Sequence, residues 1–271
     1  MKPHRPGPAL LLCPADRPER YARALAAADG VIIDLEDGVG AGAKDAARAA
    51  LAAAAPDPAR VIVRVNAAGT PEHEADLKLL RTLPYRTIML PKAESAAQLA
   101  GLGHWSVVAL CETPAGVLGA PALAAAAGVC ALFWGAEDLT AALGGRTSRH
   151  PDGRYRDFAR YARSAVLLAA AAHGKLAIDS VYVNIPDLDG LAAEAQDAAA
   201  SGFDRKACIH PSQVAVIRAA FRADEAQVAW ARRVLAAARE TGLDKGAVKI
   251  DGQMIDAPLI RQAEEILNSA R

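Results

Sequence analysis

Two carboxylates stand at the ends of apolar runs: Glu112 closes SVVALCE (106–112), and Asp138 follows CALFWG (130–135) within FWGAEDL. Burying an ionised acid is costly unless a partner offsets its charge. Two carboxylate oxygens, with the remaining positions left to water or substrate, are a common way of holding Mg²⁺. Glu112 and Asp138 are therefore read as a metal pair. Zinc would want a cluster of histidines or thiolates, which the sequence does not offer. Arg64 in VIVRVN brings a planar fork suited to a carboxylate or a polarised carbonyl. A cation beside an arginine describes a receptor for a small oxo- or hydroxy-acid.

These residues need a frame that brings them together. Eight short aliphatic runs recur: ALLLC (9–13), VIIDLE (31–36), VIVRVN (61–66), TIMLPK (87–92), SVVALCE, CALFWG, KLAIDS (175–180) and KACIH (206–210). Alanine-rich segments of helical period separate them. Strands alternating with helices imply parallel pairing through right-handed crossovers, and eight of them imply closure into a (β/α)₈ TIM barrel of the α/β class. An open doubly wound sheet is the rival. Against it, the turn after the first run, CPADRPER, lacks a glycine-rich phosphate fingerprint. Residues 1–223 are expected to form the barrel. Residues 224–271 continue as a C-terminal helical extension that packs on the barrel or on a neighbouring subunit.

Barrel enzymes place their reactive groups at the carboxyl ends of the strands. Seven of the eight runs deliver an ionisable residue there: Glu36 and Asp37, Arg64 (with Asn66), Lys92, Glu112, Glu137 and Asp138, Asp179, and His210. Any one of them alone reads as a helix cap or a solvated strand end. Acids and bases gathered around one ring point to function. Gly135, Ala136 and Glu137 open a loop whose backbone NH groups could form an anion nest for substrate, with the Glu137 side chain capping the turn. Arg17 and Arg20 stand at the start of a helix, and Lys92 lies across the mouth. Together they are read as holding a phosphate of a large cofactor. His210 reads equally well as a structural or a catalytic histidine. Trp105, Trp134 and Trp230 read as packing.

Composition narrows the setting. Lysine plus arginine and aspartate plus glutamate both number 31, so no net field draws the chain to nucleic acid or to a membrane surface. The four cysteines stand singly in apolar runs, as expected of a reducing cytoplasm. No run approaches the length of a membrane span, and ALLLC is too short for a secretory core.

The blocks CPADRPERY, VIIDLEDGV, VIVRVNAAGT, IMLPKAES, ALCETPAGV, WGAEDLTAALG, KACIHPSQ and DGQMIDAPLIRQAE, in this order, resemble the citrate lyase β-subunit-like (CitE-like) family of the aldolase and citrate lyase superfamily, which is related to malyl-CoA and citramalyl-CoA lyases. The resemblance covers essentially the whole chain. It implies a barrel, usually a homotrimer, that binds Mg²⁺ through Glu112 and Asp138 and its substrate through Arg64. Glu36 and Asp37 match the acidic pair near the metal-bound water, and Asp256 matches an aspartate that reaches a neighbouring subunit's site. The implied reaction is cleavage of a 3-hydroxyacyl-CoA of citryl, malyl or citramalyl type into a 2-oxoacid, such as oxaloacetate, and an acetyl-type thioester. A malate-synthase-like or thioesterase-like activity, an aldolase acting on free oxoacids, and a non-enzymatic scaffold are the alternatives. The chain departs from the family at Ala115, where relatives often carry arginine, and in its short C-terminal region.

Overall fold

The computed structural model describes residues 7–241, 248–250 and 252–270. The basic start of the chain and Asp251 of the VKIDG segment lie outside these residues. The eight expected runs form eight strands: β1 (Ala9–Pro14), β2 (Gly30–Asp34), β3 (Val61–Arg64), β4 (Thr87–Leu90), β5 (Ser106–Cys111), β6 (Val129–Trp134), β7 (Leu176–Asp179) and β8 (Arg205–Cys208). All neighbours pair in parallel and β8 returns to β1, closing the barrel.

Helices follow most strands: α1 (Tyr21–Ala27), α2 (Lys44–Ala54), α3 (Pro71–Leu80), α4 (Pro114–Ala125), α5 (Ala136–Ala142), α6 (Asp157–Ala172), α7 (Leu188–Ser201) and α8 (Ser212–Phe221). The link from β4 to β5 carries only a four-residue 3₁₀ turn, Ala96–Leu99. Local chemistry sets the helix starts. Thr70 and Thr113 each accept a backbone NH from the first turn, and a proline follows each cap. Gly116 lets α4 approach closely, because a Cβ there would lie 2.4 Å from the Ala93 carbonyl oxygen.

Side chains on successive strand residues alternate between the two faces of a sheet. Leu10, Ile32, Ile62, Met89, Val108, Leu110, Phe133, Ile178 and Ala207 meet in one cluster, which fills the barrel. The next residue along each strand therefore points out, toward the helices. This alternation decides which strand-end charges reach the mouth.

The chain divides into two compact units, Met1–Arg218 and Ala219–Arg271, and the division falls within α8. The second unit holds α9 (Glu225–Thr241), an antiparallel pair β9 (Val248–Ile250) and β10 (Gln253–Ile255), and α10 (Ala257–Ser269). Ala231, Val234, Ile255 and Ala263 form its own small core. Among the described residues no helix is long and apolar enough to cross a membrane.

Candidate active site

The site is built from the inward-facing ends of β2 to β6. Asp34 and Arg64 are the last residues of β2 and β3 and pair in register. Each lies two positions beyond a core residue, Ile32 or Ile62, so both face inward. Arg64 grips Asp34 with two bonds, Nε to Oδ1 at 2.7 Å and Nη2 to Oδ2 at 2.6 Å. Asp34 also accepts the backbone NH groups of Glu36 and Gly38. Burial alone would raise the Asp34 carboxyl; the arginine and the two NH groups outweigh it and hold the acid below the usual carboxylate range. The fork thus has a fixed orientation, and its remaining nitrogen, Nη1, lies 3.2 Å from Glu36 Oε2.

Lys92, just beyond β4, has a φ of +50°, a left-handed conformation that costs a non-glycine residue roughly 1 kcal/mol or more. Its backbone NH donates to Glu112 Oε1 at 3.1 Å. Its ammonium donates to Glu36 Oε1 and Asp37 Oδ2, and lies 3.9 Å from Glu112 Oε1 and 3.6 Å from Asp138 Oδ1. Glu112, one residue past β5, is almost wholly buried. Its carboxyl is pushed up to about 8, first by burial and then by the charges of Asp138 and Glu36, with Lys92 and Arg64 opposing. Burial likewise raises Glu36, against the pull of Arg64 and Lys92. Glu36 Oε2 is buried and accepts no hydrogen bond. Gly135, at the end of β6, makes room for Glu112: a Cβ there would lie 2.9 Å from Glu112 Oε2.

Five carboxylates, Asp34, Glu36, Asp37, Glu112 and Asp138, thus face two cations, Arg64 and Lys92. A cluster this short of positive charge, with oxygen donors only, suits a hard divalent ion such as Mg²⁺, which is commonly held by one or two carboxylates and keeps several waters. Among the described residues no group of three or more histidine, cysteine, aspartate or glutamate side chains forms a ready cage. Glu112 and Asp138, from adjacent strands, are the pair that would hold such an ion.

Several expected site residues are placed differently. The Lys92 ammonium, expected together with Arg17 and Arg20 to hold a phosphate, is bound to Glu36 and Asp37. Arg17 precedes the 3₁₀ turn Pro18–Arg20 and Arg20 ends it, both with side chains more than half exposed. Arg20, Arg23 and the exposed His210 line a cleft of about 400 Å³. The segment beginning at Ala136 is the short helix α5, not a loop. The Gly135 and Ala136 NH groups donate to Cys111 O and Ser180 Oγ, each at 3.4 Å. Glu137 accepts from Ser148 Oγ instead of capping its own turn. Asp256 stands at the N-cap of α10, just before its first residue, and makes no side-chain capping bond.

Asp179 does not reach the mouth at all. Its neighbour Ile178 takes the inward position, so Asp179 points outward, fully buried. There it accepts from Trp134 Nε1, Arg163 Nε and Lys206 Nζ. Two supports of the site went unnoticed in the sequence. One is Asp34. The other is Lys44, whose ammonium donates to the Leu35 and Glu36 carbonyls and to Asn66 Oδ1, and so fixes the chain that carries Glu36.

Comparisons with known proteins agree with this architecture. Residues 13–211 match the HpcH/HpaI aldolase/citrate lyase family. A citrate lyase subunit beta-like protein from Mycobacterium tuberculosis is 53% identical over 264 residues, covering 97% of this chain and 96% of its own. The mitochondrial citramalyl-CoA lyase of Mus musculus is 32% identical over 273 residues, covering 89% and 79%. The crystal structure of CitE from M. tuberculosis in complex with magnesium, acetoacetate and coenzyme A superposes with a TM-score of 0.94 at 53% identity, over 97% of this chain and 98% of that one. With matches of this length and identity, the chain belongs to the HpcH/HpaI aldolase/citrate lyase family.

Proposed function

We propose that this protein is a Mg²⁺-dependent carbon–carbon lyase that cleaves a 3-hydroxyacyl-CoA of citryl, malyl or citramalyl type into a 2-oxoacid and an acetyl-type thioester. The observation that carries the reading is the charge-deficient cluster in which buried Glu112 and partly exposed Asp138 share the Lys92 ammonium, next to Glu36 and its Arg64 fork. The magnesium, acetoacetate and coenzyme A bound by the M. tuberculosis relative support the same assignment.

Glu112 and Asp138 would hold the ion, which supplies Lewis acidity toward the hydroxyl and carboxylate oxygens of the substrate. Arg64, locked by Asp34, holds the substrate carboxylate or the oxygen on which charge develops. Loss of one such donor typically costs about 3 kcal/mol of barrier. Cleavage requires the hydroxyl proton to leave and the released acetyl-type carbon to gain one. Glu36, raised by burial and adjacent to Arg64, is suited to accept the first. Asp256, supplied by a neighbouring subunit of a homotrimer, would donate the second. Arg17 and Arg20 offer positive charge to the phosphates of the CoA tail. The enzyme works in the cytoplasm.

The test is a panel of citryl-, malyl-, citramalyl- and hydroxymethylglutaryl-CoA, assayed for oxoacid release with and without Mg²⁺. Release from at least one thioester, lost on chelation, is expected. If no thioester is cleaved while pyruvate or oxaloacetate with Mg²⁺ shifts the melting temperature and acetyl-CoA does not, the protein is an aldolase of free oxoacids instead.

A further inference from the structure

We propose that Lys92 is the charge stand-in for the divalent ion: its ammonium balances Glu112 and Asp138 before the ion binds and yields both to it afterwards, while keeping Glu36 and Asp37. The inference rests on the reading of Glu112 and Asp138 as the ligand pair.

Three observations carry it. The first is the pattern of distances. The ammonium's two hydrogen bonds go to Glu36 and Asp37, whereas Glu112 Oε1 and Asp138 Oδ1 lie at 3.9 and 3.6 Å, inside ion-pair reach but beyond hydrogen bonding. The ammonium therefore offsets the ionised forms of the two outer acids through space without itself occupying their lone pairs, and withdrawing it breaks no side-chain hydrogen bond to either.

The second is the backbone. The left-handed φ of +50° at Lys92 brings its own NH to Glu112 Oε1 at 3.1 Å while the side chain reaches over the acids. A residue held in that conformation is over-determined by its surroundings. The same residue thus orients one ligand by its main chain and offsets its charge by its side chain.

The third is the balance of charge. Arg64 is tied bidentately to Asp34, so Lys92 is the cation within reach of all four remaining acids, Glu36, Asp37, Glu112 and Asp138. An ion bound by two of those acids sits in the field of the ammonium, and the like charges repel across a partly buried site where screening is weak. Lys92 therefore lowers the affinity for the ion while stabilising the cluster that receives it. In this role it is a positioning residue.

Isothermal titration of chelator-treated protein with Mg²⁺, paired with thermal unfolding, separates the possibilities. Lys92→Gln is expected to bind Mg²⁺ about tenfold more tightly than wild type or better. It should melt lower than wild type without added ion, and the gap should narrow at saturating Mg²⁺, keeping the part that comes from the lost bonds to Glu36 and Asp37. Lys92→Arg keeps the charge and should bind no more tightly than wild type. Equal or weaker binding by Lys92→Gln overturns the inference, as does tightening by Lys92→Arg to the same degree. Wild-type protein that takes up no Mg²⁺, or a Glu112→Gln variant that binds it as wild type does, overturns the ligand assignment itself.

Discussion

Two groups of charge, each with a buried centre and exposed members, lie on either side of the barrel wall, and they are balanced differently. Inside the mouth, five carboxylates share two cations. Outside, beneath α6 and α7, Asp179, Glu194 and Asp197 meet Lys206, Arg163 and Arg149 in equal number. Their electrostatics diverge accordingly. Burial would raise Asp179, but Lys206 and Arg163 hold it below the usual range. Glu112 and Glu36 are instead held above it. A balanced network serves the fold, because every buried charge is answered within the chain. A deficient one makes room for charge from outside, and that difference separates the candidate site from an equally buried neighbour.

Four measurements would break or sharpen this contrast. The largest effect is expected from Glu112→Ala or Asp138→Ala, which should lower Mg²⁺-dependent turnover by about 10³-fold or more. Mg²⁺ uptake should fall with it while the melting temperature holds; retained turnover would place the ion elsewhere. Lys206→Met should do the opposite, costing about 3 to 5 kcal/mol of stability through the stranded Asp179 and Glu194. Denaturant unfolding reads that cost, and Mg²⁺ affinity should stay at the wild-type value.

Asp34→Asn frees the Arg64 fork without touching the ligand pair. Turnover should fall about 10- to 100-fold, the usual loss when a supporting partner of a site is removed, with Mg²⁺ affinity little changed. The smallest effect is in pH. Between 4.5 and about 8 the folded protein keeps a proton on Glu112 that the unfolded chain releases. Stability without added ion should therefore decline as pH rises through that window, and Glu112→Gln should flatten the decline. Mg²⁺ binding should strengthen over the same range, since the ligand must lose its proton. The outer network runs the other way: the stability contributed by Asp179 is present above its ordinary value of 3.8 and is lost as pH falls below it.

The barrel was legible because eight aliphatic runs separated by helical segments leave few closures open. Arg64, Glu36, Glu112 and Asp138 were legible as charges ending those runs. Asp34 and Asp179 were not, for a shared reason. In a parallel strand buried on both faces, hydrophobicity does not mark which residues point inward. Inside and outside are fixed only by register with the neighbours, and a shift of one residue exchanges them. Asp34 could have been found by counting back two from Glu36, which puts both on the face of Ile32. Asp179 was sent to the wrong side because it ends its run, although Ile178 is the residue aligned with the core. The start of α5 was also missed: its Gly-Ala-Glu-Asp opening carries no capping side chain, and the structure shows none.

The mouth charges come from β2 to β6, five neighbouring strands, while β7, β8 and β1 leave their side of the ring without an acid or base in the cluster. One half of the circle carries the ionised cluster, and the other is free of it. Mutations in the loops after β7, β8 and β1 can reshape their side of the mouth without disturbing an ion pair of the cluster. The shape of one side of the mouth and the charge of the other can thus be altered independently within a single closed sheet.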